Sequence, residues 1–188
     1  MRKLPLNFNL NKYGLNVRLV EEDDAEFIVK LRTDFKNSKF IHDTDASISK
    51  QCEWIKSYKE REEEGREYYF IFSNENYIPV GLYRLYNIHD NTFTGGSWVF
   101  INNCNPSYPI LAPIIAFEIA YEMLNLEILD AFDGCHVDNK KVDKANRLLG
   151  LKEIGRIQDT KGEYITYTLD KEDFYNSRDR ILKLFRIN

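Results

Sequence analysis

Residues 139–151, NKKVDKANRLLGL, give the clearest indication of the fold. It follows an apolar run, residues 126–132, whose length and composition predict a buried strand, and it precedes a second strand-like segment. Asn139 is a residue type that often caps a helix N-terminus, and Gly150 is the type that often follows a helix C-terminus. The segment therefore predicts a strand, a short helix and a return to the sheet.

Hydrophobic periodicity predicts the other elements on both sides of this corner. The predicted strands are residues 17–20, 68–72, 80–88, 94–102 and 126–132, with a closing hairpin at 152–155 and 163–169. A first helix is predicted after the acidic run 21–24, with Phe27, Ile28, Leu31 and Phe35 on its inner face, and a second from Ser47 or Ser49 to Gly65. The other predicted helices are a long apolar one that ends at Leu124, a short one over 140–149 and a tail helix within 171–188. This order predicts an α/β (α+β) protein, with helices on both faces of a mixed, mostly antiparallel sheet.

Composition sets limits on the class of protein. A chain of 188 residues with 43% hydrophobic and 30% charged residues predicts one globular domain, 1–188, with a core over 17–169, a short N-terminal extension and a helical tail. The net charge of −4 argues against nucleic acid as a partner. The longest apolar stretch, 110–123, contains Pro113, Glu118 and Glu122, so we expect no membrane span.

The cysteines and the N-terminus indicate the compartment. Cys52, Cys104 and Cys135 are odd in number and widely spaced, which favours reduced thiols and predicts no metal site of cysteine type. The N-terminus is basic but lacks the apolar core of an export signal. We therefore expect a cytoplasmic protein that carries no metal.

Three segments resemble one known superfamily. Asn139, Asn146 and Gly150 have the spacing found at the end of a GNAT-type acyltransferase domain. Residues 31–34 (LRTD) with 38–41 (SKFI), and residues 48–55 with Trp54, are similar to the first two helices of its branch of ribosomal-protein N-terminal and aminosugar-nucleotide N-acetyltransferases. The resemblance covers residues 17–169.

The resemblance implies a GNAT fold in which the fourth and fifth predicted strands splay into a V-shaped slot. Acetyl-CoA would lie there as the co-substrate, paired to free main-chain groups of Val99 and Ile101, with its pyrophosphate in the loop 102–112 at a helix N-terminus. Asn139 would hold the cofactor arm. The implied cofactor-binding residues are Val99, Phe100, Ile101, Cys104, Ser107, Tyr108, Ile110, Leu111, Ala112, Asn139 and Asn146.

The sequence departs from the superfamily pattern at two places. Cys104, Ser107 and Pro109 occupy phosphate-loop positions where relatives usually have Arg or Gln and glycines, and Pro113 falls in the presumed first helical turn. Proline has no N–H to donate. Asn146 stands where many members have a Tyr that protonates the departing thiolate, and an amide cannot supply that proton.

Several residues are candidates for the chemistry and for the amine acceptor. His89 and Asn146 are the predicted catalytic residues, the first as a base and the second to position the thiol or a water, while Glu118 and His136 are alternative bases. The predicted acceptor-binding residues are Arg32, Phe40, His42, Tyr86 and Trp98. Arg32 is chosen because a guanidinium makes bidentate contacts to phosphate or carboxylate.

Two classes of function remain open from the sequence. The first is an N-acetyltransferase for a primary amine, either of a small molecule such as a nucleotide-linked aminosugar or of a protein or peptide N-terminus, with a homodimer as the assembly considered. The second is a GNAT-fold binding or regulatory module whose atypical loop no longer supports cofactor turnover. Binding of acetyl-CoA separates the two.

Overall fold

The structure is a computed structural model that describes residues 2–34, 40 and 45–187, with residues 132 and 133 described for their backbone alone. Within this part, eight strands form a sheet in the order β1-β2-β3-β4-β5-β6-β8-β7. The strands are β1 Asn9–Lys12, β2 Leu15–Leu19, β3 Tyr68–Ser73, β4 Pro79–His89, β5 Thr92–Phe100, β6 Ile128–His136, β7 Lys152–Asp159 and β8 Gly162–Asp170. Neighbours pair antiparallel except β5 and β6, which are parallel.

Helices flank the sheet on both faces, as predicted. Their bounds are α1 Ala25–Thr33, α2 Ile48–Glu63, α3 Tyr108–Glu118, α4 Lys140–Leu148 and α5 Lys171–Phe185. A short 3-10 turn, Glu22–Asp24, precedes α1, and a π turn, Ile119–Met123, extends α3. Ser47, rather than Ser49, caps α2 by accepting a hydrogen bond from the N–H of Lys50. Gly65 follows α2 with φ of +80°, a backbone angle that suits glycine.

The N-terminal segment adds a strand that the sequence analysis missed. β1 pairs with β2 through a tight turn at Tyr13 and Gly14, both with positive φ. The sequence of β1, NLNK, is mostly polar and presents one edge of the sheet to solvent. A strand of this kind has little hydrophobic alternation, which is why periodicity did not reveal it.

Two apolar clusters fix the layers. On one face α1 and α2 pack Ile28 and Ile55 onto Leu82 and Val99 of the sheet. On the opposite face α3 packs onto β4 and β5, and α5 packs onto β8. Phe117 lies between Phe93 and Phe174 at centroid distances of 6.0 and 5.8 Å. These faces are called the α1 side and the α3 side below.

The start of α3 differs from the prediction. The helix begins at Tyr108, so Pro109 lies in its first turn, and Pro113 lies in the interior of the helix rather than in its first turn. A proline in the first turn costs no helical hydrogen bond. Residues 111–118 are buried, which explains why all of them except Glu118 are apolar.

Glu118 belongs to a buried ion cluster. Its Oε2 lies 2.8 Å from Nζ of Lys12, and its Oε1 lies 3.1 Å from Nη1 of Arg178 and accepts a 2.8 Å hydrogen bond from the hydroxyl of Tyr13. The cluster therefore ties β1 and α5 to α3. Glu118 has a structural role here, and the alternative assignment of Glu118 as a base is wrong.

Candidate functional site

The parallel strands β5 and β6 separate after a short contact. They pair at Thr92 with Ile128 and at Phe93 with Leu129, and their register pairs end there although both strands continue. The hydroxyl of Thr94 donates a 2.7 Å hydrogen bond to the carbonyl of Asp130 just beyond the last pair. The V-shaped splay predicted from the sequence is therefore present.

Irregular backbone widens the gap on both strands. In β5 the register with β4 shifts between the pairs Gly96–Arg84 and Val99–Leu82, and Ser97 within that bulge has φ of +48°. In β6 the register with β8 shifts between Ala131 and Cys135. A bulge bends a strand and re-aims its neighbouring groups, so the two strands diverge rather than rejoin.

A cavity of about 440 Å³ fills the gap between the diverging strands. It is lined by Arg32, Phe40, Tyr83, Tyr86, Gly95, Gly96, Ser97, Trp98, Leu129, Ala131, Gly134, Cys135, His136, Asp138, Asn139, Val142, Asn146, Leu151, Lys161, Tyr164 and Tyr167. Its size falls in the range of small-molecule sites.

Two glycines of β5 leave room for the aromatic walls of the cavity. A Cβ on Gly95 would lie 2.3 Å from the hydroxyl oxygen of Tyr83, on the α3 side. A Cβ on Gly96 would lie 2.9 Å from Cε1 of Tyr86, on the α1 side. The cavity thus reaches both faces of the sheet through the gap, and glycine is needed at both positions.

On the α1 side, polar groups gather around a buried tyrosine. Arg32 and Ser97 hydrogen-bond to the side chain of Tyr69. Burial raises the pKa of Tyr69, and the guanidinium groups of Arg32 and Arg84 oppose that rise. This arrangement holds the Arg32 side chain at the cavity wall, where a guanidinium suits an anionic group.

At the cavity rim, three rings form a cluster. The ring of His136 lies 5.5 Å from that of Phe40 and 5.3 Å from that of Tyr164, measured between centroids. His136 Nδ1 accepts a 3.1 Å hydrogen bond from the N–H of Asp138, so the neutral imidazole carries its proton on Nε2. In that form Nε2 of His136 is a hydrogen-bond donor.

Helix α4 contributes two asparagines to the same cavity. Asn139 caps the helix, because its Oδ1 accepts a 3.3 Å hydrogen bond from the N–H of Val142. Its amide N–H2 is the group that remains suited to a ligand. Asn146 lies two turns further along α4 and also lines the cavity.

Beneath α4 lies a chain of hydrogen bonds. The hydroxyl of Tyr167 donates to Oδ1 of Asp143 at 2.7 Å, and the thiol of Cys135 lies 3.3 Å from the same hydroxyl. Burial, followed by the contacts with Cys135 and Asp143, raises the pKa of Tyr167. The Tyr167 proton is thus engaged by a carboxylate and tightly held.

Comparison with solved structures places this geometry in a family. The chain is similar to the apo structure of FdhC, described as a nucleotide-linked sugar GNAT, with 32% sequence identity and a TM-score of 0.81. The alignment covers 93% of this chain and 97% of the FdhC chain. The chain belongs to the GNAT acetyltransferase family.

More distant GNAT structures share the fold. A ribosomal-protein-S5-alanine acetyltransferase from Vibrio fischeri matches with a TM-score of 0.77 at 15% identity, covering 89% of the chain and 99% of itself. RimJ from Mycobacterium smegmatis, in complex with CoA-disulfide, matches with a TM-score of 0.79 at 13% identity. That alignment covers 92% of this chain and 90% of the RimJ chain. No family model matches the chain, and a search of curated proteins found no match.

The structure brings most of the predicted acceptor residues together with the two asparagines. Arg32, Phe40, Tyr86 and Trp98 line the same cavity as Asn139 and Asn146. His42 lies outside the described residues. His89 is exposed next to the turn between β4 and β5, with Nδ1 3.6 Å from Oδ2 of Asp90, and does not line the cavity. The assignment of His89 as the base is therefore wrong for this structure.

The main-chain groups assigned to the cofactor from β5 need correction. The N–H of Ile101 donates to the carbonyl of Val80 at 2.9 Å, so it is not available to a ligand. With Val99 paired to Leu82, the alternation of an antiparallel ladder also directs the main chain of Val99 toward β4. The Val99 and Phe100 side chains are buried in the two cores. The stretch of β5 that lines the cavity is instead Gly95 to Trp98.

Several N–H groups of the predicted phosphate loop are bonded within the chain. Ser107 and Tyr108 donate their N–H groups to Asn105, Ile110 and Leu111 donate theirs to the carbonyl of Ser107, and Pro109 has none. The Ser107 hydroxyl bonds to Asn105 and makes no cap bond to the helix. The side chains of Leu111 and Ala112 lie in the core, and that of Cys104 packs against it. The N–H groups of residues 107–111 are therefore bonded within the chain or, at Pro109, absent, and a phosphate-binding role of the loop 102–112 stays a prediction.

Sequence reasoning missed several lining residues. Tyr83, Tyr164, Tyr167 and Lys161 come from strands or turns whose sequence carries no recognisable motif. Tyr164 and Tyr167 face the cavity because of the bulge in β6, which places Cys135 and His136 beside β8. Gly134 was the available signal for that bulge, because it has φ of +60° and a Cβ there would lie 2.2 Å from the carbonyl oxygen of Ile165.

Two further observations concern the part of the chain that the structure describes. None of its helices has the length and apolar character needed to cross a membrane. Across the same residues, His, Cys, Asp and Glu side chains do not gather in a group of three or more that could hold a metal ion.

Proposed function

We propose that the chain, acting as one domain, is an acetyl-CoA-dependent N-acetyltransferase whose acceptor is the primary amine of a nucleotide-linked aminosugar. The observation that carries the proposal is the gap between β5 and β6, with a cavity that runs through the sheet beside α4. Family membership and the 32% identity to a nucleotide-linked sugar GNAT support the same conclusion.

The gap suits the extended arm of a CoA thioester. After Phe93 and Leu129 the facing edges of β5 and β6 have no register partners, and an extended ligand can lie between them like an added strand. Gly95, Gly96 and Ser97 present backbone at the cavity wall, where N–H groups can polarise the thioester carbonyl. The amide of Asn139 is placed to hold the arm from the α4 side.

The reaction needs little side-chain chemistry. The neutral amine attacks the carbonyl carbon, a C–N bond forms, and the C–S bond breaks with its electron pair leaving on sulfur. The amine proton passes to water at the cavity mouth beside Asp138. Holding both substrates in one cavity supplies much of the rate through proximity.

The leaving thiolate is stabilised without a tyrosine acid. Asn146 faces the cavity and can donate a hydrogen bond from its amide to the sulfur. Tyr167 also lines the cavity, but its proton is committed to Asp143. The thiolate therefore leaves as an anion that Asn146 solvates, and it takes a proton from solvent later.

Charge in the cavity lining favours an anionic acceptor. Among the described lining residues, Arg32 and Lys161 are cations and Asp138 is the carboxylate. A polyamine would need the opposite balance, and a nucleotide diphosphate matches this one. The aromatic walls add surfaces for a planar ring.

The test has two stages. Acetyl-CoA should raise the melting temperature of the protein, because a ligand that binds only the folded state stabilises it. Aminosugar nucleotides, N-terminal peptides and spermidine are then compared by release of free thiol. Binding of acetyl-CoA with turnover of peptides alone would replace the acceptor assignment. No binding at millimolar acetyl-CoA would favour a binding module, for which Pro109 in the first turn of α3 is the supporting observation.

A further inference from the structure

We propose that Arg84 is a specificity-determining, positioning residue that fixes the ring of Tyr86 as a platform for a neutral planar ring, such as a nucleobase, and against a cationic acceptor. The inference rests on the proposed function, because it concerns the acceptor of the same reaction. Arg84 acts through Tyr86 and touches no substrate itself.

The two residues are neighbours on the same face of β4. They are two positions apart, so both side chains point to the α1 side of the sheet. The guanidinium carbon of Arg84 lies 4.4 Å from the centroid of the Tyr86 ring, which is close for a cation–π contact. Tyr86 lines the cavity, whereas Arg84 is not among its described lining residues, so the cation supports the ring from behind.

The guanidinium is held in this position by buried partners. Glu67 is 6% exposed, and its Oε1 lies 3.2 Å from Nη1 of Arg84. The guanidinium also lies 5.8 Å from the ring centroid of Trp54. With Trp54 and Glu67 on one side and Tyr86 on the other, the cation has little freedom to move.

The opposite strand accommodates the ring. Gly96 lies across from Arg84 in the register, and a Cβ there would lie 2.9 Å from Cε1 of Tyr86. The ring therefore occupies the space that any other residue at position 96 would need. Tyr86 is fixed by Gly96 and by Arg84.

A cation bound to one face of an aromatic ring changes what the other face attracts. The cation is attracted to the negative face of the ring and polarises its electrons toward itself. A second cation on the cavity side is therefore repelled, while a neutral, electron-rich ring is still attracted. The charges of the cavity lining select acceptors by their phosphate groups. The Tyr86 platform adds a second selection, for a neutral planar ring over a cation.

The experiment measures binding of four probes by calorimetry: uridine diphosphate, thymidine diphosphate, inorganic pyrophosphate and spermidine. Arg84→Met keeps the apolar stem beside Trp54 and removes the charge. We expect it to raise the Kd of both nucleotides about three- to tenfold, to leave pyrophosphate unchanged and to strengthen spermidine binding. Arg84→Lys should restore part of the nucleotide affinity.

Arg61→Met is the matched control. Arg61 contacts Oε2 of the same Glu67 at 2.7 Å and lies 5.5 Å from the ring of Trp54. It shares the buried partners of Arg84 but makes no described contact with Tyr86. Arg61→Met should therefore leave all four Kd values unchanged, although it weakens the same ion cluster.

Several outcomes would overturn the inference. The role of Tyr86 as a platform is contradicted if the wild-type protein binds neither nucleotide. It is also contradicted if Arg84→Met weakens pyrophosphate and nucleotide binding equally. Tyr86→Leu leaves Arg84 and Glu67 unchanged, and unchanged nucleotide affinity in this variant would contradict the same role. Acetyl-CoA binding is measured on the wild type and on every variant. A wild type that does not bind acetyl-CoA would contradict the proposed function. If acetyl-CoA binds and the nucleotide results disagree, only the role of Arg84 and Tyr86 is contradicted.

Discussion

The hydroxyl of Thr94 bonds to the carbonyl of Asp130 at the point where β5 and β6 stop pairing. Thr94 is 4% exposed, so this hydrogen bond is shielded from water. It joins the two strands at the apex of the splay, and it fixes where the gap begins.

Replacement of Thr94 tests that role. Thr94→Val keeps the shape of the side chain and leaves the Asp130 carbonyl without this donor, which we expect to lower the free energy of unfolding by about 1–3 kcal/mol. Thr94→Ser keeps the hydroxyl and should lose less. Urea unfolding measures both variants, and equal stability of Thr94→Val and wild type would show that the apex does not depend on this bond.

Asn139 has two roles that different substitutions separate. Asn139→Asp keeps an oxygen that can cap α4 and removes the amide donor, so it should retain stability and weaken acetyl-CoA binding. Asn139→Ala removes both and should also lose about 1 kcal/mol of stability. Calorimetry with acetyl-CoA and urea unfolding distinguish the roles. Unchanged affinity in both variants would reduce Asn139 to a helix cap.

We expect Lys141, an exposed residue of α4, to contribute to binding of the CoA pyrophosphate. Burial raises the pKa of Cys104, and a backbone hydrogen bond and the positive charge of Lys141 oppose that rise. Lys141→Gln should raise the Kd of CoA about tenfold at low salt and leave pantetheine, which lacks the pyrophosphate, unaffected. Lys183→Gln, at the end of α5, is the control. A similar loss with pantetheine would contradict a phosphate contact.

Alkaline pH should destabilise the protein through its buried tyrosines. Burial raises the pKa of Tyr58, Tyr83, Tyr121 and Tyr167 above the ordinary value near 10. Above that pH the unfolded chain releases these protons and the folded chain retains them, so the free energy of unfolding falls as pH rises, by about 1.4 kcal/mol per pH unit for each group. Urea unfolding at pH 8.5 and 10.5 measures the slope. Equal stability at both values would contradict the assigned burial.

The sequence predicted those features that depend on local signals. The capped helix after Asn139 follows from neighbouring residues alone, and the structure agrees with its start and end. β1 was missed because a polar edge strand lacks alternation. The direction of the main chain at Val99 and Ile101 could not be predicted, because it depends on the bulge at Ser97, and nothing in the local sequence fixes that bulge.

The site shows the same division. Arg32 was predicted from the chemistry of its guanidinium, Tyr86 and Trp98 from their flat rings, and all three line one cavity. His89 was predicted as the base because it lies in the turn before the fourth predicted strand. The bulge in β6, a long-range feature, brings His136 to the rim, whereas His89 does not line the cavity.

Hydrogen–deuterium exchange with and without acetyl-CoA tests the slot most directly. We expect slower exchange for the amides of residues 95–98 of β5 when acetyl-CoA is added, with no change in β1 at the far edge of the sheet. Acetyl-CoA that binds without protecting residues 95–98, or that fails to bind at millimolar concentration, would rule out the gap between β5 and β6 as the cofactor site.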